Sequence, residues 1–422
     1  MDFRYITKTK GVGGRIKQSP TDFQVEEIGV NYQTKINYLS NKNQAEINWQ
    51  EVFEKKKSDT DYLIVDLEKN NLATTSALNQ LARFLQTSKK RFSFAGLKDK
   101  RAITSQRISI YQPSQDRLSK FNFKNIKIYN PFWSKDKIDI GDLKANKFTI
   151  KIRQITDFSK DDLKILIDQT ISQINKNGLI NYFGEQRFGG VREITHKVGK
   201  LLLLKRYKEA VILYLTEASD LEREDIKLAR EDLKKDLNFR KHAANFPTQT
   251  GYESAILNYL ANKPTDFLGA FKILPKSIQF LFIHAYQSYL FNELINLRID
   301  NGYGLNPIEG DKIIDGEVYL PLFGVHSEFS RGLAGELEKE IIKKENISFK
   351  DFYNKEYSVL SSKGDFRKIK TSVNDLKIIS IEDDKDNTAL VSPLEASLSF
   401  ILDKGQYATV VLREIIKKEM IG

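Results

Sequence analysis

Hydrophobic and polar positions follow two different periods along this chain. Residues 61–67 (DYLIVDL) form a short apolar run closed by acids, which predicts a buried strand. Leu78, Leu81, Ala82 and Leu85 then recur at helical spacing, with Thr74, Thr75 and Ser76 available as caps. SQRISIY at 105–111 predicts a second strand. In KFTIKIR, Phe148, Ile150 and Ile152 alternate with Thr149, Lys151 and Arg153, the period of a strand with one apolar and one partly basic face. Ser159 is placed to cap a helix carrying Leu163, Leu166, Ile167, Ile171 and Ile174, and Gly178 to end it.

The stretch 191–300 is mostly helical by pattern. A long helix is predicted from about Lys276 to about Ile299, with Ile278, Leu281, Phe282, Ala285 and Tyr289 on one face. From Gly302 to about Val373, glycines and short apolar runs alternate, which predicts short strands and loops. The Lys- and Glu-rich run 334–345 reads as a solvated helix, and the polar stretch 34–60 as loops with short secondary structure. TALVSP at 388–393 and QYATVVL at 406–412 are strand-like, followed by a basic helical tail. The order αβ, mixed, αβ points to one domain inserted into another.

A chain of 422 residues suffices for two domains. No apolar run approaches the roughly 20 residues of a membrane span, and MDFRYITKTK lacks an apolar signal core, so the expected location is the cytoplasm. The absence of cysteine removes disulfides, thiolate nucleophiles and cysteine-ligated metals. His196, His242, His284 and His326 are too far apart in sequence for paired ligation from one helix, and no metal is expected. Lys plus Arg number 67 against 56 Asp plus Glu, a net charge of +11. Nucleic acid, an anionic membrane surface, an acidic protein or a lysine-rich compositional bias each accounts for that surplus.

The densest chemical segment runs from Phe94 to Gln106. Asp99 is the sole acid between Lys89 and Arg107, among Lys89, Lys90, Arg91, Lys98, Lys100, Arg101 and Arg107. A lone carboxylate repels phosphate and is a poor choice for merely binding RNA. It makes sense if it acts on a base or sugar while cations hold the backbone. The same residues also suit an ordinary turn, with Gly96 at the bend and Asp99 paired to a lysine. A second segment, Asn181–Gly190, groups aromatics, amides, an arginine and glycines. It suits stacking and base-edge reading, or equally a core loop. In Lys17–Glu27, Pro20 favours an extended entry and Phe23 and Val25 alternate, which alone reads as an edge strand. GVGG at 11–14 has neither a preceding strand nor a following helix pattern, so it is not a phosphate loop.

Taken together, these segments resemble the TruD family of RNA pseudouridine synthases. The resemblance covers KxxPxDFxVxE at Lys17–Glu27, GxKDxxAxTxQ at Gly96–Gln106, NYFGxQRFG at Asn181–Gly189, AYQSYLFN at Ala285–Asn292 and a GxYATxxLRE-like segment at Gly405–Glu414. In the family's LxGNxF, Ala145 replaces the glycine, and residues 34–60 and 334–372 do not match. The resemblance implies an α+β protein: a mixed α/β catalytic domain around an antiparallel sheet, with an inserted family-specific α+β domain. The expected division is 1–195 and 383–422 for the catalytic domain and 196–382 for the insert. It further implies Asp99 as nucleophilic carboxylate, with Lys17 holding its charge and orientation. Phe183 would stack on the target base beside Asn181, while Phe23 and Tyr407 help enclose the flipped nucleotide. The implied partner is transfer RNA, with uridine 13 as target and no cofactor. The competing readings are a non-catalytic RNA-binding protein on the same scaffold and a metal-dependent nuclease using Asp99. The nuclease would need further converging carboxylates, and none is evident nearby.

Overall fold

The computed structural model describes residues 3–37, 47–247, 249–385 and 393–417. The first half of the chain alternates strands and helices. Its strands are β1 (Phe23–Gly29), β2 (Tyr62–Asn70), β3 (Phe92–Phe94), β4 (Ile103–Tyr111), β5 (Ile126–Ser134) and β6 (Leu143–Ile155). Its helices are α1 (Trp49–Glu54), α2 (Thr74–Phe84), α3 (Gln115–Leu118) and α4 (Lys160–Asn177). After the short strand β7 (Leu179–Ile180) come α5 (Thr195–Leu203), α6 (Tyr207–Thr216), α7 (Glu224–Asp236), α8 (Phe239–Ala243), α9 (Gly251–Asn262), α10 (Phe267–Lys272) and α11 (Lys276–Asp300). Then follow β8 (Lys312–Ile314), β9 (Glu317–Leu322), α12 (Gly332–Glu345), β10 (Asp365–Lys368), β11 (Lys370–Thr371), β12 (Asn374–Asp383), β13 (Leu394–Asp403) and α13 (Ala408–Ile416).

The chain forms two compact units. One comprises Ile6–Leu179 and Ser372–Gly422, and the other Ile180–Thr371 with the N-terminal stretch ending at Tyr5. The unit boundaries lie at 179/180 and 371/372, not at the expected 195/196 and 382/383. The reason is pairing: the Asn181 N–H donates to the Ile369 carbonyl (2.8 Å), so the 181–195 loop joins the helical unit. β12, in turn, pairs along β13 in the large sheet.

The first unit is built on an eight-stranded sheet in the order β12-β13-β6-β1-β4-β2-β5, with β3 also paired to β4. The expected antiparallel sheet is therefore mixed, because β1 and β4 run parallel with Gln24 opposite Ile103. β1 is not an edge strand. It lies between β6 and β4 and buries Phe23, Val25 and Glu27 in strict alternation. α2 lays Ala77, Leu78 and Leu81 on Leu63, Val65 and Leu67 of β2 and Ile108 and Ile110 of β4, an apolar core on one face. Ser159 caps α4 through the Asp162 N–H, and Gly178 ends it at φ 76°, where a side chain would be strained. QYATVVL is not a strand but the start of α13; the C-terminal strand is LEASLSFILD, which pairs with β6 across the length of the chain. TALVSP falls largely outside the described residues.

In the second unit α11 runs through the middle and is buried on more than one face, at Phe282, Ile283, Tyr286, Leu290, Phe291, Leu294 and Ile295. α5 crosses it at Gly199, where an added Cβ would meet the Phe282 carbonyl oxygen at 2.1 Å. Only glycine lets these helices approach so closely. The run 334–345 is a helix whose charged face is not wholly solvated: Glu338 and Glu345 are buried. This unit also holds a three-stranded sheet, β10-β9-β8, and β11 forms a two-stranded pairing with β7.

The basic face expected for β6 is in part interior. Arg153 is buried and pairs with Asp22 (2.8 Å), Asp384 (3.0 Å) and Glu395 of β13 (2.9 Å). It thereby ties the entry to β1 to the strand that returns after the second unit. Removing one member of such a buried group strands the others without a countercharge. Arg153→Met is expected to lower unfolding free energy by about 3–5 kcal/mol, read from urea unfolding at neutral pH.

Candidate active site

The parallel pairing of β1 and β4 means that the segments leading into both strands reach the sheet from the same end. One carries Lys17 and the other Asp99. The Lys17 ammonium lies 3.4 Å from Asp99 Oδ1 and 4.1 Å from the centroid of the Phe23 ring. It is therefore held between a carboxylate and an aromatic face, both attractive to a cation. Lys17 itself sits at φ 56°, a left-handed conformation uncommon for lysine. The side chains of Lys17 and Asp99 stay 16% and 26% exposed, so the pair is reachable from solvent. Phe23 is buried beneath Lys17, with its ring edge-on to Phe148 at 6.0 Å.

The backbone around Asp99 is fastened by buried side chains. Lys69 of β2 donates from Nζ to the Asp99 carbonyl at 2.6 Å and faces the Lys98 carbonyl at 3.5 Å. The Lys98 N–H donates to Thr74 Oγ1 (3.1 Å), whose hydroxyl donates to Gln106 Oε1 (2.8 Å). Gln106 Nε2 closes the ring by donating to the Gly96 carbonyl (3.1 Å). Thr74 was expected to cap α2; instead Ala73 holds the cap position without a side-chain bond, and Thr74 serves the loop. The Lys98 ammonium turns inward to Glu27 at 2.6 Å. Glu27 also accepts from Tyr32 Oη (2.8 Å) and the Arg107 N–H (3.1 Å). Burial and the Glu27 charge push the Tyr32 phenol well above its usual range. Burial likewise pushes the Lys69 ammonium down to about 8, against the pull of the Asp99 charge, with Lys98 adding to the lowering.

A second cluster forms within the other unit. Asn292 of α11 clasps Phe183 by its backbone, accepting from its N–H (3.0 Å) and donating to its carbonyl (2.9 Å). The Phe183 ring is only 6% exposed. It meets the edge of Phe291 at 5.5 Å, the Arg367 guanidinium at 4.1 Å and that of Arg187 at 5.5 Å. Asn181 donates from Nδ2 to the Lys368 carbonyl (2.8 Å) and accepts Arg367 Nη2 at Oδ1 (2.5 Å). Arg187 Nε donates to Ser288 Oγ (3.1 Å). Ser288 and Asn292, one turn apart on α11, thus explain why AYQSYLFN and NYFGEQRFG occur in one chain. Tyr407 stands at the N-cap of α13 in the unit that contains Asp99, half-buried and with extended backbone.

The structure thus places Lys17, Phe23 and Asp99 together in one unit, and Asn181 with Phe183 in the other. Sequence reasoning missed Lys69, whose signal was a charged pair, Glu68-Lys69, in the continuation of a buried strand. It gave Asn292 no role, although an asparagine amid a long apolar helix is a polar group in need of a partner. Nothing in the sequence marks Arg367. Among the described residues, no group of three or more His, Cys, Asp or Glu converges where a metal ion could sit. No described helix is long and apolar enough to cross a membrane.

A sheet that is antiparallel but for one parallel pair, and a helical unit inserted between its strands in sequence, agree with the domain with a family-specific insert that the resemblance to pseudouridine synthases implies. The family model described as tRNA pseudouridine synthase D (TruD) matches residues 2–318 and 314–415, and the chain belongs to this family. A relative from Methanosarcina acetivorans, named a probable tRNA pseudouridine synthase D, is 33% identical over 446 residues, covering 98% of this chain and 95% of its own. One from Methanocaldococcus jannaschii, named a probable tRNA pseudouridine synthase D 1, is 35% identical over 420 residues, covering 99% and 98%. The crystal structure of a Methanosarcina mazei protein, described as a candidate tRNA pseudouridine synthase D, superposes with a TM-score of 0.74 at 32% identity, covering 98% of this chain and 96% of that one.

Lys69 offers a test of how tightly the Asp99 loop is enclosed. Its ammonium titrates near 8 in the folded chain, against about 10.4 when unfolded. Between those values the unfolded chain binds more protons, so stability rises with pH through that window. Urea unfolding from pH 7 to pH 10.5 is expected to show this rise in the wild type and to lose it in Lys69→Met. Equal slopes in the two proteins would show that Lys69 titrates normally.

Proposed function

We propose that the chain isomerises uridine to pseudouridine in transfer RNA, at uridine 13, in the cytoplasm, with Asp99 as the catalytic carboxylate. The observation that carries the assignment is the Lys17–Asp99 pair, seated on Phe23 and reachable from solvent, in a loop braced by Lys69, Thr74 and Gln106. A group that must attack a precise atom benefits from such bracing, because misplacement by an ångström forfeits much of the advantage of proximity.

In the reaction the N1–C1′ bond breaks, the uracil turns, and a C5–C1′ bond forms. The proton on C5 leaves and N1 gains one, so atoms and electrons balance without a redox partner. The carboxylate of Asp99 either attacks the sugar or base or takes a sugar proton next to C1′. In each route Lys17 steadies it by charge. Asn181 and Phe183 receive the uracil, by base-edge hydrogen bonding and stacking respectively, which offsets the roughly few kcal/mol of unstacking the nucleotide. Tyr407 and Phe23 contribute to enclosing the nucleotide, Phe23 by setting the position of Lys17. The net charge of +11 suits backbone contact with RNA.

Incubation with transfer RNA transcripts and no added metal separates the readings. Pseudouridine at uridine 13 is the expected product. Cleavage would identify a nuclease, and bound but unchanged RNA a binding protein. Asp99→Asn is expected to abolish conversion while RNA binding persists; retention of even about a tenth of wild-type turnover, a loss of only about 1.4 kcal/mol, would remove Asp99 from its role.

Phe183→Ala is expected to weaken productive binding by about 1–3 kcal/mol, as for a lost base–aromatic stack. Circular dichroism melting checks that this variant folds. A collapse of the fold without a specific binding defect would mark Phe183 as core.

A further inference from the structure

Arg367 is far from Asn181 in sequence, yet its guanidinium makes two bonds to that residue. Nη2 donates to Asn181 Oδ1 at 2.5 Å and Nε to the Asn181 carbonyl at 3.2 Å. The same guanidinium lies 4.1 Å from the Phe183 ring centroid. One planar cation thus engages both residues assigned to the base. Lysine, with a single point charge, could not do so.

The consequence lies in the amide. A side-chain amide has two N–H donors and two oxygen lone pairs. In Asn181, Arg367 takes one lone pair and the Lys368 carbonyl takes one N–H (2.8 Å). One donor and one acceptor remain. Exchange of oxygen and nitrogen by a half-turn would set N–H against the guanidinium and oxygen against a carbonyl, and both contacts would repel. The order of donor and acceptor that Asn181 presents is therefore locked. Uracil offers an acceptor at position 4 beside a donor at position 3, and cytosine offers the reverse. A freely turning amide would serve either base in a given pose, whereas a locked one serves a single order.

We propose that Arg367 is a positioning residue for base selection, holding the Asn181 amide in the one orientation that pairs with uracil and mismatches cytosine, and bracing Phe183 beside it. The proposal rests on the reading of Asn181 and Phe183 as base contacts. It differs from a merely structural role in acting on the ratio of affinities for two bases and not on affinity alone.

The test uses the full chain carrying Asp99→Asn to prevent turnover, and a transfer RNA transcript with either uridine or cytidine at the position that the wild type converts. With Arg367 intact, the uridine transcript is expected to bind about tenfold more tightly, the discrimination of one bidentate base contact. Arg367→Met and Arg367→Lys should both bring the ratio towards one, chiefly by raising affinity for the cytidine transcript, which a freed amide can also serve. Either variant, melting as the parent does and keeping the parent ratio, overturns the proposal. If Arg367→Met does not fold, Arg367→Lys, which keeps the charge, decides. Asn181→Ala should abolish the ratio as well; if it does not, the reading of Asn181 is what fails. A wild type that converts no uridine in any transcript overturns both readings together.

Discussion

Much of this molecule depends on one parallel pairing in an otherwise antiparallel sheet. β1 and β4 run side by side with Gln24 opposite Ile103 and Glu26 opposite Ser105. A parallel pair puts both strand entrances at one end of the sheet. The loops that precede the strands, one with Lys17 and one with Asp99, therefore meet. An antiparallel pair would have sent them to opposite ends. β3 takes the remaining length of the same edge of β4, at Phe94 opposite Ile108, so the loop from Phe94 to Ile103 has both its feet on β4.

Charge buried beneath that loop then fixes its shape. Glu27, Lys98, Lys69 and Arg107 lie at or near the sheet interior, and each has a partner of opposite polarity. Isolated, any of them would cost several kcal/mol to bury. Paired, they confine the loop to the geometry that satisfies all of them together. Arg153 does the same at the entry to β1, joining Asp22, Asp384 and Glu395. That group is drawn from parts of the chain separated by the whole second unit. Completing the sheet therefore requires β12 and β13 to return, which is the physical sense in which the second unit is an insertion.

The helical unit follows a similar logic with neutral groups. Asn292 and Ser288, both buried on one side of α11, hold the 181–188 loop, while Arg367 holds it from β10. Phe183 is thus surrounded by fixed partners instead of lying loose on a surface. A buried ring with a clamped backbone has little conformational freedom left to lose. The arrangement is the helical counterpart of the braced loop around Asp99.

Local pattern in the sequence determined most elements on its own. The 3.6-residue period of Leu78, Leu81, Ala82 and Leu85, the Ser159 cap and Gly178 stop, and the alternation of KFTIKIR all became the elements they predict, because those signals are contained within one segment. The grouping of Lys17 with Asp99, and of Asn181 with Phe183, was legible as motif. Strand order was not. QYATVVL has the composition of a strand but becomes α13, because LEASLSFILD already occupies the place beside β6. Lys17–Glu27 looks like an edge and is interior, because neighbours on both sides come from distant sequence. Thr74 looks like a cap and is a brace, because its partners, Gln106 of β4 and Lys98 of the loop before it, arrive from elsewhere in the chain. Lys69 and Arg367 acquire meaning only from what folds against them. Period and capping act between residues a few positions apart and can be read along the chain, whereas parallel pairing, buried ion partners and a guanidinium shared by two residues exist only once distant segments have met.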